Sequence, residues 1–228
     1  MATTVPTFID ELTRQHRVVI IGGVAVIAYG YSRHTQDVDI WLDPLSSAKE
    51  WVDVIEAACA KTEGTTMHRL PGWVWVTGND AAVAVEETGL LRILGLNLPL
   101  DIFRRPNEFQ EDDFDAVVFR TSKNLDGTLL PDPLDLLQSK LATGRDKDFK
   151  DIQHLESVVR ADYKIRLPTA TLAEATHLLE RFSEWQVLRF ALENPSPEVR
   201  GLAMTHLREF AVLGDPFSQA ILEGRELP

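Results

Sequence analysis

Hydrophobic residues along this chain change their spacing several times, and each change marks an element. In FIDELTRQHR (residues 7–16), Phe8, Ile9 and Leu12 fall at helical spacing, which predicts a short helix with those three inward. Val18 to Ile21 is a run of four apolar, β-branched residues and predicts a buried strand. Gly22 and Gly23 break that run and open a short apolar helix over 24–29, and a second strand, DVDIWL, follows over 37–42. Pro44 ends it. Ser46 or Ser47 then caps a helix to Thr62, whose face of Trp51, Val52, Ile55, Ala58 and Cys59 should pack on the sheet.

From Thr65 to Phe103 the pattern predicts short strands over 73–77, 82–85, 90–94 and 98–103, punctuated by Gly64, Gly72, Gly78, Gly89 and Gly95. Trp73 and Trp75 alternate with valines and read as sheet packing in preference to base stacking. The run EFQEDDFD (108–115) carries five carboxylates and reads as a solvated loop, followed by a strand over 116–121 and a turn-rich DGTLL. Pro133 suits the first position of a helix with Leu134, Leu136, Leu137 and Leu141 on its apolar face, ended by Gly144; another helix spans 146–161. Beyond Pro168 only helices are expected, over 170–181, 184–193, 196–213 and 215–224. Leu202, Met204, Leu207, Phe210 and Leu213 mark the inward face of the third, with Trp185, Leu188 and Phe190 nearby. The expected fold is α/β: a small mixed sheet flanked by helices over 1–165, then a helical C-terminal region over 166–228.

Composition narrows the function classes. At 228 residues and 44% hydrophobic content the chain can form one large domain or two small ones and bury a substantial core, as is ordinary for a globular protein. No apolar run approaches the roughly 20 residues that span a bilayer, and the N-terminus lacks a signal-peptide pattern, so no membrane association is expected. Cys59 is the only cysteine, which excludes an internal disulfide and suits a cytoplasmic location. A net charge of −12 argues against tight, non-specific DNA or RNA binding. It leaves room for a local basic patch that meets one RNA end, or for a basic partner protein.

Candidate chemistry gathers at three places. Asp37 and Asp39 stand two apart on a strand, so their carboxylates share a face, an unfavourable arrangement without a cation between them. Mg²⁺, a hard cation, takes such oxygen ligands and keeps part of its shell for substrate phosphates. Glycines at the preceding strand-to-helix turn let backbone N–H groups approach a phosphate. Asp101 sits in an otherwise apolar strand of LNLPLDIFRR, where an ionised group is costly unless paired or metal-bound. Lys140, Arg145, Lys147 and Lys150 make the most basic neighbourhood, and Lys147 and Asp151 stand at the i, i+4 spacing of a helical ion pair.

The segment IGGVAVIAYGYSRHTQDVDIWL (21–42) resembles the nucleotidyltransferase signature of the DNA polymerase β superfamily, a glycine turn followed by D-x-D and completed by a third carboxylate on a later strand. It is closest to small prokaryotic members, abortive-infection and toxin–antitoxin nucleotidyltransferases, through Gly30, Arg33, Thr35, Asp37 and Asp39. Many members have serine at the position of Gly23. The resemblance covers about residues 18–155 and implies a nucleotidyltransferase-like core. It implies Asp37, Asp39 and Asp101 as catalytic and metal ligands for Mg²⁺ (or Mn²⁺), and Gly22, Gly23, Arg33, Lys140 and Asp148 as nucleotide-binding. It further implies transfer of NMP from an NTP donor to an acceptor hydroxyl of RNA, such as tRNA, or of protein, in a toxin or abortive-infection role with an antitoxin partner. The alternatives are an aminoglycoside-type small-molecule nucleotidyltransferase and a catalytically silent nucleotide-binding module.

Overall fold

The computed structural model describes residues 4–106, 109–121, 123–125 and 127–225. In chain order these form α1 (Val5–Thr13), β1 (Val18–Ile21), α2 (Gly22–Ala28), β2 (Val38–Leu42), α3 (Ala48–Lys61), β3 (Thr66–Arg69), β4 (Val74–Trp75) and α4 (Gly78–Thr88). There follow β5 (Leu90–Leu94), β6 (Leu100–Phe103), α5 (Asp113–Arg120), β7 (Lys123–Leu125), β8 (Thr128–Leu130), α6 (Pro133–Thr143) and α7 (Phe149–Arg166). The chain ends in α8 (Leu172–Arg181), α9 (Trp185–Leu192), α10 (Pro197–Val212) and α11 (Pro216–Leu222). The α/β class is as expected. The residues divide into two units, one ending at Leu155 and one beginning at Glu156, so the division falls within α7.

All eight strands of the first unit join one mixed sheet, ordered β4-β3-β5-β6-β2-β1-β8-β7. β2 runs parallel to β6 and β1 parallel to β8, while the other pairs are antiparallel. The sheet is covered on both faces. Ile40, Leu42, Leu91, Ile93, Leu100 and Ile102 on one face are fully buried, and so is Trp41 on the other. Trp41 packs with Val19, Phe114 and Val117, and its indole N–H donates to the Arg104 carbonyl at 3.1 Å. Asp39 shares the Trp41 face of β2, because side chains two apart point the same way. Helix α5 therefore roofs the Trp41 end of that face, and the Asp39 end is left to a cleft.

Several expectations hold closely. Ser47 caps α3 by accepting from the Glu50 amide, and Trp51, Val52, Ile55 and Ala58 are buried as its spacing predicts. Asp132 caps α6, Pro133 takes its first turn and Gly144 ends it. Ser196 caps α10 in the same manner.

Others are corrected. Residues 82–85 lie in α4, which buries Ala81, Ala84 and Val85 at helical spacing, and 116–121 belong largely to α5, which buries Phe114 and Val117 and exposes Phe119. Both stretches are short apolar runs, which fit a strand or a helix equally well. The acidic run is no simple loop: Asp113 and Asp115 lie in the first turn of α5, where carboxylates are favoured, while Glu108 falls outside the described residues. DGTLL contributes β8, the parallel neighbour of β1. Trp73 and Trp75 do not fill a core, being 47% and 65% exposed beside the edge of the sheet. Leu141 is half exposed, and Lys140 takes the inward position on α6.

The second unit is helical, as expected. α10 packs on α8, α9 and α11, and its buried line is Val199, Ala203 and Leu207; Leu213, expected inward, is exposed. Buried Asn194 donates to the carbonyls of Leu167 and Ala170 at 2.7 and 3.0 Å, tying the α9–α10 turn to the chain before α8. Among the described residues no helix is long and apolar enough to cross a membrane.

Candidate functional site

Strand register builds the site. Asp39 of β2 pairs with Asp101 of β6, Asp101 pairs in turn with Arg92 of β5, and Ile21 of β1 pairs with Asp39 on the other side. One row across the sheet therefore reads Arg92, Asp101, Asp39, Ile21, with all four side chains on one face. Asp37 lies in the bend just before β2, and Thr35 holds it by donating to its backbone carbonyl at 2.9 Å. One oxygen from each of Asp37, Asp39 and Asp101 lies within 4.8 Å of the others. Three hard oxygen donors at that spacing suit a divalent cation, so these residues could hold a metal ion.

At the end of the row the chain turns from β1 into α2. Gly22 has φ +62°, a conformation that L side chains rarely adopt, and a Cβ there would overlap the Asp39 carboxylate. At Gly23 a Cβ would stand 2.6 Å from the Arg33 guanidinium and 2.9 Å from the Thr35 hydroxyl. A serine at position 23 would displace Arg33. The glycine pair lets the backbone sit against both the acids and Arg33.

Across the cleft, α6 and the turn after it bring a second cluster. Buried Lys140 reaches Asp148 at 2.8 Å and Asp151 at 3.0 Å. Asp148 also accepts from Arg145 at 2.6 Å and Thr143 at 3.1 Å, and Asp151 accepts from Arg33 at 2.9 Å. Asp151 therefore binds Lys140 and Arg33 in place of the expected partner Lys147. Gly22, Gly23, Arg33, Asp37, Asp39, Asp101, Lys140 and Asp148, the full set singled out in the sequence, all line one cleft of about 570 Å³.

The electrostatics of the two clusters differ in sign. Burial, reinforced by the like charges of Asp37 and Asp101, pushes the Asp39 pKa up to about 6. Burial alone would raise Asp148 too, but hydrogen bonds from Lys140 and Arg145 outweigh it and hold Asp148 below the usual carboxylate range.

Arg92 was not singled out in the sequence. Its guanidinium forks onto both oxygens of Asp101, stands 3.9 Å from Asp37 and lies 4.0 Å from the centre of the Trp73 ring. The signal was present: LLRIL is an apolar strand with one charge in its middle, the same anomaly that marked Asp101. Asp101 and Arg92 are each other's partner, which accounts for both lone charges. No protein-family model matches the chain, and no curated protein matches it.

Proposed function

We propose that this chain is a Mg²⁺-dependent nucleotidyltransferase, with a core of the DNA polymerase β superfamily kind, that transfers NMP from an NTP to an acceptor hydroxyl. The observation that carries the reading is the register pair Asp39–Asp101 with Asp37 in reach, facing a glycine turn and Lys140 across one cleft. Asp37, Asp39 and Asp101 hold the cation, which when bound supplies charge neutralisation and polarisation of phosphoryl oxygens. Backbone N–H groups of the Gly22–Gly23 turn, with Arg33 and Lys140, receive the triphosphate; Lys140 serves as a point charge. Asp148 and Asp151 hold Lys140 in position from one side. Asp101 takes the proton of the acceptor hydroxyl, the acceptor oxygen bonds to the α-phosphorus, and pyrophosphate leaves.

The toxin or abortive-infection role, with an RNA or protein acceptor and an antitoxin partner, rests on resemblance alone: toxin-type nucleotidyltransferases carry a segment downstream of the metal site that Lys140, Arg145, Lys147, Asp148 and Asp151 fit. A cationic small-molecule acceptor gains little from the acidic run, because Glu111 is paired with Arg104 and Asp115 with Arg17, and neither lines the cleft. The silent-module reading has one observation in its favour, that both oxygens of Asp101 already engage Arg92. Incubating the protein with each labelled NTP, Mg²⁺ and cell extract tests the reading. Label should move to an RNase- or protease-sensitive product with wild type and not with Asp39→Ala. Equal transfer by the variant refutes the assignment.

A further inference from the structure

Arg92 has a role that neither the resemblance nor the register of the acids supplies. Its side chain is 14% exposed and that of Asp101 8%, so the pair is nearly dry. Each fork nitrogen takes one Asp101 oxygen, Asp37 is within 3.9 Å, and the flat of the guanidinium rests on Trp73. Among the described residues this guanidinium is the positive charge nearest Asp101, and it engages the same oxygens a metal ion would use. A divalent cation entering alone must share or take those oxygens and also meets a fixed positive charge a few ångströms away. A triphosphate arriving with the cation offsets that repulsion and supplies further oxygen ligands.

We propose that Arg92 is a positioning residue that makes metal binding at Asp37, Asp39 and Asp101 conditional on the nucleotide. It holds Asp101 in place when the site is empty and suppresses binding of bare metal ion. It yields oxygens only when phosphate oxygens bring compensating charge. Trp73 gives the guanidinium a surface to remain on when the fork loosens. The inference rests on the reading of the three aspartates as the metal site.

Titration of the full chain with Mn²⁺ at pH 7.5, followed by the paramagnetic signal of free Mn²⁺, tests this with and without a non-hydrolysable NTP analogue. Wild type should bind Mn²⁺ weakly alone and about tenfold or more tightly with the analogue. Arg92→Gln should bind Mn²⁺ alone about tenfold or more tightly than wild type, and the gain from the analogue should shrink correspondingly. Its metal-free Tm should fall and recover at saturating Mn²⁺, a pattern that a purely structural role would not give. Adding Asp39→Asn to Arg92→Gln should abolish the gained affinity, which ties it to the triad. Unchanged or weaker Mn²⁺ binding by Arg92→Gln, with wild type binding normally, overturns the role of Arg92 alone. Absence of Mn²⁺ binding in both proteins, analogue present or not, overturns the metal site itself. If Arg92→Gln does not fold, Arg92→Lys is read instead: it keeps the charge and loses the fork, so its affinity for Mn²⁺ alone should still exceed wild type, and equality overturns the proposal.

Discussion

The two ends of the cleft use the same residue types to opposite effect. On the sheet, three aspartates share one cation, Arg92, and Asp39 is left with a pKa of about 6. On α6 and the following turn, two aspartates meet three cations, Lys140, Arg145 and Arg33, and Asp148 is held low. Burial does not account for the difference, since Asp148 and Asp151 are the more buried acids and Asp37 the most exposed. The ratio of charges is what differs. A buried cluster with excess negative charge is costly until something positive enters, whereas a cluster matched in charge and hydrogen bonds is already complete. One end could hold an added cation, and the other keeps its own.

The largest test of that contrast substitutes one acid at each end. On the proposed function, Asp39→Asn should cut NMP transfer by roughly 10²- to 10³-fold, since it would remove a ligand of the cation that stabilises transition-state charge. The same variant should raise the metal-free Tm at pH 7.5, because a crowded charge is removed. Asp151→Asn at the matched end should do the reverse to stability, costing about 3 kcal/mol by leaving Lys140 and Arg33 short of a carboxylate in a buried setting. Denaturant unfolding of both variants decides: a stability change of the same sign in both would erase the distinction.

How far this contrast was visible beforehand depends on which physical signal marks each residue. Asp37 and Asp39 were legible because a spacing of two at the start of a strand suggests a shared face, although Asp37 lies in the bend just before β2, and Asp101 because a lone charge in an apolar strand demands a partner. The partner itself was not, since which strand lies beside β6 follows from topology, and β5 reaches it only through the sheet order β3-β5-β6-β2. Asp151 illustrates the other failure. Local spacing paired it with Lys147, but its actual partners come from α6 and from Arg33, more than a hundred residues earlier in the chain. In the second unit the helices were legible from caps and breaks, while the buried face of α10 was only partly legible: Leu207 lies on it as expected, but Val199 and Ala203, smaller than the residues chosen, make up the rest.

A smaller effect, in pH, separates the ends further. With its folded pKa raised from 3.8 to about 6, Asp39 holds a proton in the folded metal-free chain that the unfolded chain has released. Metal-free stability therefore falls as pH rises across that window, and the full cost is present above it. A divalent cation needs the ionised form, so millimolar Mg²⁺ should raise Tm at pH 7.5 and lose that effect as pH drops through about 6. Asp148 runs the other way: its depressed pKa contributes stability above the unfolded value, lost only as pH falls through the lower folded one. Thermal melts at pH 7.5 and 5 with and without Mg²⁺ measure the first effect, and an Mg²⁺ shift that persists at pH 5 would place the cation elsewhere.

The smallest effect probes how the lone cation of the acidic end is held. Arg92 has Asp101 on one side and the ring of Trp73, half exposed, on the other, whereas the cations of the matched end are gripped chiefly by carboxylates. A guanidinium over an indole at a partly exposed position contributes about 0.5–1 kcal/mol. Trp73→Leu keeps an apolar surface and removes the π face, so it should lower metal-free stability by about that amount and leave the fork to Asp101 intact. With saturating Mg²⁺ and nucleotide the loss should shrink or vanish, because the entering charges take over the compensation that the ring-held guanidinium supplies. Unfolding in both states reads the difference: a loss equal in both would make Trp73 an ordinary packing residue at the sheet edge, and a loss confined to the metal-free state would tie it to the excess charge of the acidic end.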